Sequence, residues 1–140
     1  MPTPEAKILA VDDDERLLRL VKRVLTGRGY EVITVADPMR AVEIAREQRP
    51  SVVLTDTVMP DMDGFRLTTA IIAQGTLAQV ILMTGFSEPI KIIDGYRAGA
   101  SDYLIKPFNV EELVTVVEAA AQRYLRWRRL VGSSLRGGTD

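Results

Sequence analysis

The sequence predicts an α/β fold built on a doubly wound, parallel five-stranded sheet. Short apolar runs alternate with amphipathic stretches along the whole chain of 140 residues. The runs are apolar throughout rather than at every second position, the pattern of strands covered on both faces. Pro, Gly or Asp stands at nearly every boundary, where each run gives way to a helical pattern. Right-handed crossovers then wind five β-then-α units into one domain.

Each element has its own justification. Ile8-Leu9-Ala10-Val11 reads as a buried strand. From Asp14 to Leu25, Leu17, Leu18, Leu20, Val21, Val24 and Leu25 recur at helical spacing, and Gly27 or Gly29 supplies the stop. Val32-Ile33-Thr34-Val35 is β-branched and reads as a strand. Asp37-Pro38 is an N-cap followed by Pro at the first helical position, and that helix runs to about Gln48, before Pro50. Val52-Val53-Leu54-Thr55 is the third strand, ending at Asp56. A loop from Thr57 to Asp63 leads to Gly64, and Phe65 to Gln74 is helical. Val80-Ile81-Leu82-Met83 is the fourth strand, ending at Thr84-Gly85. Ser87-Glu88-Pro89 opens a helix that Gly99 closes. Asp102-Tyr103-Leu104-Ile105 is the fifth strand, ending at Lys106-Pro107. Asn109 caps a last helix running to about Val131, and Gly132 to Asp140, rich in Gly and Ser, reads as a loose terminus.

Composition narrows the chemistry. At 46% hydrophobic and 26% charged residues the chain is ordinary globular protein. It has no Cys, hence no disulfide framework or thiolate zinc site, and no His, hence no Ser-His-Asp triad and no phosphohistidine of its own. No targeting signal or apolar stretch near the roughly 20 residues of a membrane span is present, so the expected location is the cytoplasm. The net charge of -1 conceals a division: residues 1–122 carry -5, whereas 123–140 carry +4 through Arg123, Arg126, Arg128, Arg129 and Arg136 against Asp140.

Open α/β sheets bind ligands beyond the carboxyl ends of their strands. There stand Asp12, Asp13 and Asp14 after the first strand, Asp56 after the third, Thr84 after the fourth and Lys106 after the fifth. Carboxylates held close repel one another unless a cation is present, and Mg²⁺ suits a site of few carboxylates. An Asp in such a site can act as a nucleophile toward a phosphoryl group, with the Lys and the hydroxyl holding its oxygens. Asp14 reads as a cap only, Asp61 and Asp63 as shaping the loop into the third helix, and Gly64 as permitting an unusual backbone angle.

These residues carry a resemblance. Ile8-Leu9-Ala10-Val11-Asp12-Asp13-Asp14, Leu54-Thr55-Asp56 with Met59-Pro60-Asp61-Met62-Asp63-Gly64, Ile81-Leu82-Met83-Thr84-Gly85 and Asp102-Tyr103-Leu104-Ile105-Lys106-Pro107-Phe108 occur in an order similar to the CheY-like receiver domain of two-component response regulators. The resemblance covers residues 7 to about 122 and implies a flavodoxin-like (β/α)5 sheet of order 2-1-3-4-5. It implies that Asp56 is the phosphoacceptor. Asp13, Asp56 and the backbone carbonyl of Val58 would bind Mg²⁺, or Mn²⁺ in its place, with Asp12 acting through a water. Thr84 and Lys106 would hold the phosphoryl group, Thr84 and Tyr103 would form the switch, and Lys106-Pro107 would be cis. Val58 and Phe86 would flank the site at positions that set the phosphoryl lifetime; both are apolar, so a long-lived phosphoryl group is expected.

The implied donor is a partner histidine kinase or histidine phosphotransfer protein, for which Arg16, Leu17, Leu20 and Arg23 offer a docking face. The implied output face is the fourth helix, fifth strand and fifth helix. Residues 1–122 would form the receiver, and 123–140 a basic helical extension with a flexible tail. Leu113, Val117, Ala120, Tyr124, Trp127 and Val131 recur at a spacing of four and three, suited to a packed seam. That extension is expected to make a homodimer, as the output face also could, or to lead to an output module. No contact with a membrane, and none of the receiver with nucleic acid, is expected. Two other classes fit less well. A haloacid-dehalogenase-like phosphohydrolase would use Asp12 and Asp14, but Arg16 stands where that motif wants Thr or Val. A nucleic-acid binder could use the arginine tail, but no helix-turn-helix fits there, and Val116 replaces the Arg expected in receivers joined to winged-helix domains.

Overall fold

A computed structural model describes residues 6–59, 62–85 and 91–137. Pro60, Asp61, Phe86 and the expected helix opening Ser87-Glu88-Pro89 lie outside the described residues, as do residues 138–140 of the expected tail. The elements follow in strict alternation: β1 (Lys7–Val11), α1 (Glu15–Gly27), β2 (Glu31–Val35), α2 (Pro38–Gln48), β3 (Val52–Asp56), α3 (Gly64–Ile72), β4 (Gln79–Gly85), α4 (Lys91–Ala98), β5 (Asp102–Lys106) and α5 (Val110–Gly137). All pairings are parallel, and the strand order is β2-β1-β3-β4-β5. This is the doubly wound, flavodoxin-like architecture that the sequence predicts.

The helix starts are built by side chains that accept otherwise unsatisfied N–H groups. Asp14 Oδ1 accepts from Arg16 N at 3.0 Å and Leu17 N at 3.2 Å. Asp37 Oδ1 accepts from Met39 N at 2.9 Å, and Asp63 Oδ1 from Arg66 N at 2.9 Å. Asn109 accepts from Glu112 N at 2.8 Å while donating to the Glu112 carboxylate at 3.0 Å, a reciprocal cap that opens α5.

The sheet separates two apolar layers. Ile8, Ala10, Leu54, Ile81 and Met83 pack under α1 and α5 against Leu18, Val21, Leu113 and Val117. Leu9, Val11, Val53 and Val80 pack on the other face against Ala41, Leu67 and Ile71. The central strands β1, β3 and β4 are buried over most of their length, as continuous apolar runs require.

Three expectations need correction. The edge strand β5 is not buried on both faces: Ile105 is 46% exposed, because no strand among the described residues pairs beyond it and α5 crosses toward β4 and β3. The last helix does not stop near Val131 but continues through Gly132, Ser133 and Ser134 to Gly137. Once a helix is nucleated each added residue needs only one more hydrogen bond, so weak formers at the end are carried along. Gly64 has no positive φ; it is required for space, since a Cβ there would collide with the Asp56 carbonyl.

Candidate functional site

The parallel sheet brings the carboxyl ends of β1, β3, β4 and β5 to one edge, and the sequence-selected residues meet there. Asp12, directly after β1, is wholly buried. Its Oδ1 accepts from the Asp14 N–H at 2.9 Å, so the turn into α1 fixes the carboxylate. Its Oδ2 accepts from Lys106 Nζ at 2.7 Å. The same ammonium lies 3.5 Å from Asp56 Oδ2, so Lys106 bridges the two acids from the end of β5. Asp56 Oδ1 in turn accepts from the Val58 N–H at 3.4 Å.

Asp12, Asp13 and Asp56 each present a carboxylate oxygen within 4.8 Å of the others. Asp12 is buried, Asp56 half-buried and Asp13 exposed, so the cluster opens to solvent through Asp13. The donor set is all oxygen and carries more negative charge than Lys106 balances, which fits a hard divalent cation with retained waters. Burial first and the Asp12 charge second push the Asp56 carboxyl above its ordinary value, against the opposing pull of Lys106 and the Val58 N–H. Burial alone would lower the Lys106 ammonium; its hydrogen bond to Asp12 and the charges of Asp12 and Asp56 outweigh that and raise it.

Thr84 stands one residue beyond Met83, the β4 partner of Asp56. Its hydroxyl is buried and has no hydrogen-bond partner among the described residues. An unsatisfied buried hydroxyl costs on the order of 1–3 kcal/mol, so one held at this edge is a donor awaiting an acceptor. Tyr103 is half-buried on β5, with its ring against α4: it meets Tyr96 edge-on at 5.6 Å between centroids, and its hydroxyl occupies the space a Cβ on Gly95 would need. Burial raises the Tyr103 phenol above its ordinary value. The Lys106–Pro107 peptide bond is cis. Val58 is exposed at the rim, and Phe86 lies outside the described residues. On α1, Arg16 and Arg23 are exposed and Leu17 and Leu20 half-buried, so that helix presents a mixed basic and apolar surface beside the site.

Sequence reasoning missed Gly95 and the close approach of Gly64 to Asp56. The available signal was a glycine inside a helical pattern, where it costs about 1 kcal/mol relative to Ala and so asks for a packing reason.

Comparison with known proteins agrees with this geometry. Residues 8–118 match the model of the response regulator receiver domain. The DNA-binding response regulator MtrA of Mycobacterium tuberculosis is 33% identical over 123 residues, which cover 88% of this chain and 54% of that protein. The transcriptional regulatory protein SrrA of Staphylococcus aureus is 32% identical, over 84% of this chain and 48% of that protein. The chain thus spans about half the length of these curated relatives. Among solved structures, chemotaxis protein CheY4 of Vibrio cholerae superposes with a TM-score of 0.78 at 35% identity, covering 82% of this chain and 98% of that one. NtrX from Brucella abortus gives a TM-score of 0.85 at 28% identity, over 94% of this chain and 30% of that one.

Proposed function

The chain belongs to the response regulator receiver domain family, and we propose that it accepts a phosphoryl group on Asp56 and changes state at its α4–β5–α5 face in response. The haloacid-dehalogenase reading has no support among its relatives. The observation that carries the assignment is the Lys106 ammonium between Asp12 and Asp56, at 2.7 and 3.5 Å. It supports Asp56 as the acceptor, flanked by a cation able to turn to the incoming phosphoryl oxygens.

Asp13 and Asp56, with the Val58 carbonyl, would hold Mg²⁺ directly, and Asp12 through water. When bound, that ion neutralises carboxylate repulsion and charge on the phosphoryl oxygens. An Asp56 oxygen attacks phosphorus; the Oδ–P bond forms as the P–N bond to the donor imidazole breaks. The donor belongs to a partner, a histidine kinase or histidine phosphotransfer protein, since this chain has no His. Lys106 turns from Asp12 toward the phosphoryl oxygens, and the Thr84 hydroxyl donates to another of them. Thr84 and Tyr103 then carry the change to α4 as a shift between two populated states. Residues 1–122 form this receiver, and the basic stretch from 123 onward is a helical extension that continues α5. The Val58 side chain cannot orient an attacking water, which supports slow loss of the phosphoryl group.

Incubation with acetyl phosphate and Mg²⁺, followed by intact mass, tests the assignment. Wild type gains one phosphoryl group and Asp56→Asn gains none. Uptake that persists in Asp56→Asn would falsify it.

A further inference from the structure

The second half of α5 has no place in the phosphoacceptor reading. The helix is 28 residues long, about 42 Å at 1.5 Å per residue. Among the described side chains its last buried residues are Ala120 and Ala121, and Arg123 Nε donates to Gln79 Oε1 at the foot of β4 at 3.1 Å. Beyond that point Trp127 is 49% and Leu130 48% exposed. Large apolar groups on a helical segment with little of the domain to pack on need a partner surface.

Charge states what the partner is. From Val110 to Gln122 the helix carries Glu111, Glu112 and Glu118 and no basic residue; from Arg123 to Gly137 it carries five Arg and no acidic residue. A parallel pair would set arginine against arginine, whereas an antiparallel pair sets the basic half of each helix against the acidic half of the other. The acidic half already borders a groove between β5 and α5 lined by Ile105, Glu111, Glu112, Thr115 and Val116. Spacings of three and four put Glu112, Val116, Ala119, Arg123, Arg126 and Leu130 on one stripe of α5. A two-fold axis at the level of Ala121 places Ala119 opposite Arg123, Val116 opposite Arg126 and Glu112 opposite Leu130. Trp127 then lies beside the seam at the level of Thr115, and Arg126 lies one turn from Glu112. The small Ala119 lets the helices approach.

We propose that two copies of this chain pair antiparallel along this stripe, the arginine-rich extension of each seated in the acidic β5–α5 groove of the other. The pair is isologous, so each contact is made twice.

Sedimentation velocity on the full 140-residue chain tests this. The expected result is a reversible dimer that Arg126→Glu weakens about tenfold or more. Glu112→Gln, which retains the α5 cap, weakens it in the same sense. The charge swap Glu112→Arg with Arg126→Glu restores association. Circular dichroism confirms that each variant keeps its helix. A chain that stays monomeric up to about 100 μM overturns the proposal. So does a dimer that Arg126→Glu strengthens or leaves unchanged, the result expected of a parallel pair or another face, and so does failure of the swap to restore association.

Discussion

Asp56 is held in a setting that resists its own ionisation. Its carboxyl lies above the ordinary value of 3.8 in the folded chain, through burial first and the Asp12 charge second. The sign of the linkage follows. Folding favours protonated Asp56, so its contribution to stability is full below the unfolded value and is lost as pH rises through the folded one. At neutral pH Asp56 therefore destabilises the metal-free fold, and Asp56→Asn is expected to raise the urea midpoint in EDTA. That advantage narrows as pH is lowered through the acid range, because protonation of the wild type removes the same penalty; an advantage that grows toward acid would contradict the assignment. The site carboxylates, Thr84 and Lys106 were legible from sequence because each follows a short apolar run, and parallel topology puts all such positions at one edge. The use of Gly64 was not, since its need is for space against the Asp56 carbonyl, a contact between β3 and α3 that local sequence does not encode.

At the scale of elements, the sequence placed all ten in order, and the errors lie at edges and ends. β5 reads as buried from Tyr103, Leu104 and Ile105, but burial of an edge strand depends on what crosses it, and Ile105 remains 46% exposed. The sequence reads α5 as ending near Val131 because Gly132 resembles a stop; a long helix tolerates one glycine at a cost of about 1 kcal/mol and continues to Gly137. α4 seats Tyr103 through Gly95, where a Cβ would meet both the Tyr103 ring and Leu82. Gly95→Ala is thus expected to destabilise the fold by about 1–3 kcal/mol, against the roughly 1 kcal/mol that helix propensity alone would gain. Adding Tyr103→Ala should cost less in the Gly95→Ala background than in wild type, as a double-mutant cycle in urea would measure. Additive costs would show that Tyr103 does not sit on Gly95.

For the whole molecule, the alternation of strand and helix places the proposed chemistry at one edge of the sheet and the α5 extension at the other. A cation bound by the three carboxylates stabilises the folded chain by mass action, about 2.7 kcal/mol at a hundredfold excess over its dissociation constant. Mg²⁺ is therefore expected to raise the melting temperature of wild type, with much less effect on Asp13→Asn; an equal rise in both would place the ion elsewhere. The chain also contains a single tryptophan, Trp127, half-exposed on α5 beyond Ala120 and Ala121, which are buried. Its fluorescence is therefore an optical channel confined to the extension. Mg²⁺ at the far edge should leave the emission maximum in place, whereas self-association, which covers the half-exposed indole with the partner helix, should shift it to shorter wavelength as concentration rises. One chromophore, placed away from the proposed acceptor carboxylate, lets the two events be followed separately in one cuvette.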